Sequence, residues 1–202
     1  MPKVICFEGI NKSGKGTQIE RLKNYLKELF IVKVVKFPSD TNEFGIKARE
    51  LLSKEHDPVV MQCYQTIDKY LGQSSIFGSI ADYVLIDRFQ LSSYAYGYAT
   101  GVSNYHMRNL AQLIDLKPIY IYLDISFETS LKRQPEGRDL YEVEKIESKA
   151  LERFRQLAEC DATLWAVFKV DGEQSEEEVH KEILKKLGLM YKKEIRELYL
   201  PK

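Results

Sequence analysis

The stretch GINKSGKGTQ, from Gly9 to Gln18, decides the fold of this chain. It directly follows the short apolar run KVICFE and directly precedes a segment in which apolar residues repeat at helical spacing. A glycine turn between a strand and a helix lets successive backbone N–H groups face one anion, and the helix N-terminus adds partial positive charge. The stretch therefore predicts a phosphate-binding loop, although a purely structural turn with a surface lysine is an alternative.

The loop departs by one letter from the usual pattern, in which Ser or Thr follows the lysine. Here Gly16 follows Lys15, and Thr17 comes one step later. We expect Lys15 to reach the β and γ phosphates and Thr17 to place its hydroxyl near Mg²⁺, directly or through water. The ending GKGTQ is typical of adenylate-kinase-like enzymes. The residues predicted to bind ATP are Asn11, Lys12, Ser13, Gly14, Lys15, Gly16 and Thr17.

The composition excludes several other classes of protein. Apolar residues make up 44% and charged residues 30% of the 202 residues, as in an ordinary globular protein. Acidic and basic residues number 30 each, so no basic stripe is expected to grip a long nucleic acid. No CxxC or HExxH pattern suggests zinc. Without a signal-like or membrane-spanning run, we expect a cytoplasmic protein that does not contact membranes, organised as a single domain over 1–202.

Short apolar runs alternate with longer segments of helical period, which indicates an α/β fold with a mostly parallel sheet covered on both faces. The predicted strands are KVICFE, VKVVKF, YVLID, IYIYLD and AVFKVD. Several of them end in a carboxylate or lead into a glycine turn. Sheets of this type bind ligands at the carboxyl edge of their strands, so we expect the site there.

Helical spacing and caps predict several of the helices. Two apolar stripes indicate amphipathic helices, and their members are Ile19, Leu22, Leu26 and Leu29 for the first, and Ile146, Leu151, Phe154 and Leu157 for the second. Ser175 and Glu178 form a capping box that opens a further helix, and Gly188 closes it. The stretch KRQPEGRDLY is predicted to be a mobile loop between two helices, and the tail MYKKEIRELYLPK one more short helix.

A second signature, YVLIDRF, ends a buried strand in Asp87 and Arg88. A carboxylate at this point is where a P-loop protein holds Mg²⁺ or the waters of the metal. An ATPase would usually follow it with an acid, whereas Arg88 can neutralise phosphate charge and hold a second phosphorylated substrate. The pair favours phosphoryl transfer over hydrolysis, with a solvated ion pair at the strand end as the alternative. No NKxD motif supports a GTPase.

With these motifs in order, the chain resembles the thymidylate kinases from Lys3 to about Gly172. The blocks that carry the resemblance are FEGINKSGKGTQ, KFPSDTNEFGIKARELL, LIDRFQLSSYAYGYA, KPIYIYLDIS and RQPEGRDLYE. The resemblance implies a three-layer P-loop kinase fold, with a five-stranded parallel sheet surrounded by helices and a short lid loop at about 134–141. It also implies ATP as the donor, Mg²⁺, a deoxynucleoside monophosphate as the acceptor, and a homodimer.

The resemblance also assigns catalytic roles. Lys15 and the loop amides would hold the donor phosphates, and Arg88 would lie between the donor and acceptor phosphates. The lid would supply Arg133 and Arg138 to the transferred phosphoryl group, whereas another branch of the family places its arginine at the position of Lys12.

The acceptor side carries the remaining assignments and the departures from the family. Substrate contacts are expected from Glu8, Asn11, Phe37, Pro38, Gln65, Lys69, Arg88, Ser93 and Tyr96. Glu8 and Asn11 would lie near the sugar, where the family usually has Asp at position 11, and Tyr96 would pack against the deoxyribose. Asp40 stands two residues after Pro38, where the family has a phosphate-clamping arginine, so another cation such as Lys69 or Arg49 must substitute or the acceptor must differ. Gln65 occupies the position of a base-stacking phenylalanine, with Tyr64 one residue away.

We therefore expect a nucleoside monophosphate kinase that converts dTMP to dTDP. The alternatives are a P-loop kinase of a different acceptor (another pyrimidine deoxynucleotide, a nucleoside or a modified base) and a nucleotide-binding protein without catalytic activity. The acceptor alternative is motivated by Asp40, Gln65 and Gly97, which replaces a glutamine found in the family.

Overall fold

The computed structural model describes residues 1–52, 54, 56–133, 144–159 and 166–190. Within these ranges, strands and helices alternate along the chain. The strands are β1 (Lys3–Glu8), β2 (Val32–Lys36), β3 (Tyr83–Asp87), β4 (Ile119–Asp124) and β5 (Val167–Asp171). The helices are α1 (Lys15–Leu26), α2 (Glu43–Leu51), α3 (Pro58–Phe77), α4 (Gln90–Ala99), α5 (Asn104–Ala111), α6 (Phe127–Arg133), α7 (Glu144–Glu159) and α8 (Glu176–Lys186).

The strands form one five-stranded parallel sheet in the order β2-β3-β1-β4-β5. The central strand β1 pairs with β3 on one side and β4 on the other, and Phe7 lies opposite Asp87 across the β1–β3 pair. The loops that follow β1 and β3 therefore leave the sheet side by side. This is the point at which the strand order reverses, where open α/β sheets bind ligands. The predicted α/β class and the five predicted strands are confirmed.

The two faces of the sheet are covered by different helices. Ile5 and Phe7 pack with α1 and α8, whereas Cys6 between them packs with α3, α4 and α7. Because side chains alternate along a strand, a strand covered on both faces must be apolar at every position. This requirement explains the continuous apolar runs in the sequence.

The predicted amphipathic helices form, with one difference. Helix α1 buries Ile19, Leu22 and Leu26 but ends there, so Leu29 lies in the turn beyond it and is 50% exposed. The extension of the apolar stripe to Leu29 was therefore wrong, because the chain already turns towards β2. Helix α7 buries Leu151, Phe154 and Leu157, with Ile146 partly buried.

Helix α8 begins and ends as its sequence predicts. The Ser175 side chain accepts the Glu178 backbone N–H, and the Glu178 carboxylate accepts the Ser175 backbone N–H. Gly188 has φ +66°, and backbone N–H groups of Gly188 and Leu189 bond back to the last turn. Residues 191–202, which include the tail predicted to be a helix, lie outside the described residues.

A close contact between α3 and the segment after β2 shapes the wall of a pocket that is described in the next subsection. A Cβ atom at Gly72 would lie 2.6 Å from the Phe37 ring, so only glycine lets the ring seat against α3 at this distance. Phe37 also packs on Phe89, with ring centroids 5.5 Å apart.

No helix within the described residues has both the length and the apolar character needed to span a membrane.

Candidate active site

The loop between β1 and α1 is held open by its glycines. Gly9 has φ +140°, and a Cβ atom there would lie 2.7 Å from the Leu123 carbonyl oxygen. Gly14 has φ +96° and precedes α1 without any side-chain cap for its first turn. The N–H groups at the start of α1 are therefore left facing the loop, as a phosphate-binding loop requires.

Lys15 lies over this loop and is buried. Its Nζ donates to the carbonyl oxygens of Gly9 (3.1 Å) and Ile10 (2.7 Å) and to Ser13 Oγ (3.3 Å). Burial, assisted by the positive charge of Arg88, lowers the pKa of Lys15 to about 7. An anionic phosphate would restore the charge, because a neighbouring negative charge favours the ammonium form.

A cleft of about 410 Å³ opens beside the loop. It is lined by Lys12, Ser13, Gly14, Lys15, Gly16, Thr17, Gln18, Asp87, Arg133, Gly172, Gln174, Glu176 and Val179. All the predicted ATP-binding residues except Asn11 line this cleft, which we call the donor cleft. Asn11 lines the neighbouring pocket instead, where its side chain pairs with Glu147 and Arg88.

Thr17 and Asp87 both line the donor cleft, as predicted for the metal site. Asp87 Oδ1 is buried and has no hydrogen-bond partner among the described residues. A buried carboxylate oxygen without a donor is a costly arrangement that a bound cation or its waters would relieve. Within the described ranges, no group of three or more His, Cys, Asp or Glu side chains is placed to hold a metal. The donor set thus fits Mg²⁺ carried on phosphates, since that ion keeps several waters and takes few protein ligands.

A second pocket, of about 220 Å³, lies on the other side of Arg88 and is called the acceptor pocket below. It is lined by Asn11, Lys36, Phe37, Pro38, Arg49, Leu52, Gln65, Asp68, Lys69, Arg88, Phe89, Ser92 and Tyr96. Seven of the nine predicted substrate contacts line it; Glu8 and Ser93 do not.

Lys69, Ser93 and Gln65 form one polar chain in the acceptor pocket. Lys69 Nζ donates to Ser93 Oγ, and Ser93 Oγ is 3.5 Å from Gln65 Oε1. Burial lowers the pKa of Lys69 to about 8, against the opposing charges of Glu8 and Asp68. Ser93 contributes to the pocket only through these two partners. The neighbouring Tyr64 packs against Phe44, with ring centroids 6.3 Å apart. Gln65, and not Tyr64, therefore lines the pocket.

Asp68 fixes the segment that follows Pro38. Its Oδ2 accepts the Ser39 backbone N–H at 2.8 Å, and its Oδ1 accepts Asn42 Nδ2 at 2.6 Å. Asn42 in turn caps α2 by accepting two backbone N–H groups. One fully buried carboxylate therefore ties α3 to the wall of the acceptor pocket and to the start of α2.

Arg49 lies in the wall of the acceptor pocket, beside Pro38. The Arg49 guanidinium lines the acceptor pocket and donates to the carbonyl oxygens of Pro38 and Ser39. Asp40 is exposed and does not line the pocket, so its charge does not oppose an anion there directly. Of the two substitutes suggested by the sequence, Arg49 is the one on the α2 wall beside Pro38, and Lys69 lies with Gln65 and Ser93.

Arg88 lies at the junction of the two sites. It has φ +66°, unusual for a residue other than glycine. Its guanidinium donates to the Gly9 carbonyl at 3.0 Å, to Ser92 Oγ at 3.3 Å and to Asn11 Oδ1. Its Cζ lies 5.5 Å from the centre of the Tyr96 ring. The side chain is thus held in one position from several sides.

Glu8 has a supporting position rather than a place in the acceptor pocket. Its carboxylate is completely buried and accepts the backbone N–H groups of Phe89 (2.7 Å) and Ser92 (3.2 Å) as well as Ser92 Oγ. Burial raises the pKa of Glu8, while these hydrogen bonds oppose the shift. Glu8 therefore caps α4 from the end of β1, and its predicted place near the acceptor sugar stays a prediction.

Arg133 ends α6 and faces the donor cleft. Its guanidinium donates to the carbonyl oxygens of Lys12 (3.3 Å) and Gly172 (2.9 Å), and it bridges the phosphate-binding loop and the turn after β5. Lys12 has φ +58° and lines the same cleft. Arg138 and the predicted lid at about 134–141 lie outside the described residues, so their role stays a prediction.

Glu147 is the site residue that sequence reasoning missed. It projects from α7, is 1% exposed and accepts Asn11 Nδ2 at 2.9 Å and the Tyr96 hydroxyl at 3.2 Å. A signal was available, because Glu147 falls on the apolar stripe of α7 with Leu151 and Phe154. A carboxylate on the buried face of a helix needs polar partners, and these partners are in the acceptor pocket.

Comparisons with known proteins show what this chain is similar to. A family model described as thymidylate kinase matches residues 7–183. A thymidylate kinase of Sulfurihydrogenibium sp. (strain YO3AOP1) is 36% identical over 198 residues, covering 91% of this chain and 95% of the relative. One of Thermoanaerobacter sp. (strain X514) is 32% identical over 198 residues, covering 90% of this chain and 95% of the relative. The solved thymidylate kinase of Candida albicans superposes with a TM-score of 0.76 at 21% identity, over 93% of each chain, which shows a shared fold.

Proposed function

The chain belongs to the thymidylate kinase family, and we infer that it catalyses the ATP-dependent phosphorylation of dTMP to dTDP. One observation carries the assignment of its two sites. Asp87 and Arg88 are consecutive residues at the end of β3, yet Asp87 lines the donor cleft and Arg88 the acceptor pocket. A donor phosphate and an acceptor phosphate bound in these sites meet at the end of this strand.

The donor cleft is proposed to hold ATP by its phosphates. The uncapped first turn of α1 offers backbone N–H groups to phosphate oxygens, and Lys15 exchanges its carbonyl partners for them. Thr17 and Asp87 are the residues that would hold Mg²⁺, directly or through water. When bound there, the ion would neutralise charge on the β and γ phosphates.

The acceptor pocket is proposed to hold dTMP. Phe37 and Pro38 give it an apolar wall, and Gln65 with Lys69 offers polar groups that can bind the oxygen atoms and the N–H group of a thymine base. Arg49 is assigned to the acceptor phosphate, because a guanidinium can bind phosphate oxygens with two parallel hydrogen bonds. Gln65 supplies an amide where the family has a stacking ring, so hydrogen bonding replaces part of the stacking energy.

Catalysis then consists of positioning and charge neutralisation. An acceptor phosphate oxygen attacks the γ phosphorus in line, the bond to the β phosphate breaks, and no covalent enzyme intermediate is needed. Arg88 stabilises the charge that develops between the two nucleotides, from the position that Asn11, Ser92 and Tyr96 define. Arg133 and Arg138 are proposed to assist from the donor side, with the segment at about 134–141 as a lid that excludes water.

The proposed reaction is tested by measuring ADP release over dTMP, dUMP, dCMP, dGMP and AMP as acceptors. We expect dTMP to give the highest kcat/KM. A clear preference for another acceptor would instead support the alternative function, a P-loop kinase of a different acceptor, which Gln65 motivates. Release with none of them, from a protein that still binds ATP, would support a nucleotide-binding protein without catalytic activity.

We also propose that the enzyme is a homodimer, formed through an exposed apolar face on α2 and α3. Its members are Ile46, Val60, Ile67, Tyr70, Leu71 and Phe77, whose exposed fractions run from 37% to 49%. An apolar stripe of this extent on the surface is typical of an interface between subunits. Light scattering should give a dimer for the native chain and a monomer for Leu71→Glu. Leu29→Glu, at a similarly exposed leucine elsewhere, should leave the dimer intact, and a monomeric native chain would refute the proposal.

We further propose that the reaction takes place in the cytoplasm. Among the described residues, Cys6 and Cys63 are free thiols, as expected in a reducing compartment.

A further inference from the structure

Four residues form a closed ring, and three of them, Asn11, Arg88 and Tyr96, line the acceptor pocket. Glu147 Oε1 accepts Asn11 Nδ2 at 2.9 Å, Asn11 Oδ1 accepts the Arg88 guanidinium, Arg88 lies over the Tyr96 ring, and the Tyr96 hydroxyl donates to Glu147 Oε1 at 3.2 Å. Glu147 and Tyr96 are both buried, and Asn11 and Arg88 are partly buried. Of these four side chains, Glu147 is the acid and Arg88 the base.

The orientation of the Asn11 amide depends on Glu147. A carboxylate only accepts hydrogen bonds, so it binds the NH₂ group of the amide and turns the amide oxygen in the opposite direction. That oxygen then faces Arg88, which can only donate. With the amide reversed, its NH₂ group would face the guanidinium and a carbonyl oxygen would face the carboxylate, and both hydrogen bonds would be lost.

Glu147 also sets the second contact of Arg88. Its hydrogen bond from the Tyr96 hydroxyl fixes the ring on which the guanidinium lies. Burial alone would lower the pKa of Arg88, but Tyr96, Asp87, Glu8 and Glu147 raise it, so the guanidinium keeps its charge. A single carboxylate on α7 therefore controls both the amide and the ring that hold Arg88.

We propose that Glu147 is a positioning residue for the transfer step, which supplies from α7 the negative charge that the phosphate-binding loop lacks at Asn11. It acts through Asn11 and Tyr96 to present Arg88 to the acceptor phosphate. This proposal rests on the proposed function and extends it to a residue outside the predicted site. Because α7 begins at Glu144, the proposal also ties the position of Arg88 to the helix that follows the predicted lid.

The negative charge should be transferable from Glu147 to position 11, and exchanging the two residue types tests this. Glu147→Gln removes the charge but keeps the shape, and we expect kcat for dTMP to fall about 10- to 100-fold, the scale of losing charge-assisted hydrogen bonds. Asn11→Asp places two carboxylates at hydrogen-bond distance, which disfavours ionisation of both, and we expect a loss of about tenfold or more. The double variant Asn11→Asp/Glu147→Gln restores one carboxylate and one amide, and its kcat should return to within about threefold of the native value.

The measurements are steady-state kcat and KM for dTMP and ATP, with melting temperatures for each variant. KM for ATP should stay within about twofold, since none of the four residues lines the donor cleft. Glu152→Gln, an exposed glutamate on the same helix that bonds only to Gln156 among the described residues, is the matched control and should behave as the native enzyme.

Additive losses in the double variant, or a native kcat in Glu147→Gln, would overturn the proposal. One of the single variants could fail to fold. In that case, a double variant that folds and regains kcat still supports the charge exchange, whereas a double variant that regains neither folding nor kcat refutes it. Failure of the proposed function is a separate result, because it would show as absence of dTMP-dependent ADP release in the native enzyme.

Discussion

Replacing Arg88 by lysine tests the central assignment of the site, because the charge is kept while the planar fork is lost. A guanidinium has five N–H groups. Three of them donate hydrogen bonds to Gly9, Ser92 and Asn11 in the described structure, so at most two remain for phosphate oxygens. The ammonium of lysine cannot keep the three protein contacts and also reach both phosphates.

The size of the effect follows from these two groups. A hydrogen bond to a charged partner contributes about 1.5–3 kcal/mol, so losing two in the transition state costs about 3–6 kcal/mol. At about 1.4 kcal/mol for each tenfold change in rate, kcat should fall about 10²- to 10⁴-fold. KM for ATP should change little, because the donor phosphates are held by the loop between β1 and α1.

The assay is coupled ADP release at saturating ATP and dTMP, with thermal shift by ATP as the measure of an intact donor cleft. Arg108→Lys, at an exposed arginine on α5, is the matched control and should retain the native kcat. If Arg88→Lys kept kcat within tenfold of the native enzyme, the guanidinium would not be the group that bridges the two phosphates. The placement of the acceptor phosphate beside Arg88 would then be wrong.

Three further substitutions test other parts of the site. Lys15→Met should abolish activity yet raise the melting temperature of the nucleotide-free protein at pH 7, because burial lowers the pKa of Lys15 to about 7 and the folded chain carries the cost of a buried ammonium. That gain should be constant below pH 7 and shrink as the pH rises towards the ordinary lysine pKa of about 10.4, and a gain independent of pH would contradict it. Asp68→Asn should raise KM for dTMP about tenfold but not KM for ATP, since it leaves a donor facing the N–H of Ser39 or the amide of Asn42; equal changes in both KM values would contradict this. Ser175→Ala removes the capping box of α8 and should lower the melting temperature by about 2–4 °C without changing kcat, as a circular-dichroism melt can check.

Much of the fold was readable from the sequence because local rules determine it. The apolar runs gave the five strands, since strands covered on both faces must be apolar throughout. The capping box at Ser175 and the turn at Gly188 bounded α8 correctly, since both depend on residues close in sequence. Leu29 was misassigned because helical periodicity continues past the residue at which the chain turns.

Local motifs also predicted the part of the donor cleft that comes from the loop after β1 and from the end of β3. Lys12 to Thr17 line the cleft together with Asp87, because the loop follows β1 and Asp87 ends β3 at the same edge of the sheet. The rest of the lining, such as Arg133 and Glu176, comes from helices distant in the sequence.

Only the tertiary structure decided the acceptor half, because its contacts join residues far apart in the chain. Arg49 rather than Lys69 stands beside Pro38, Glu8 turns out to cap α4, and Asn11 is paired with Glu147, 136 positions later. Sequence alone gave Asn11 as a neutral residue where the family has an acid. In the fold, the carboxylate of Glu147 on α7 lies against Asn11. Buried polar groups take their partners from whichever element packs against them.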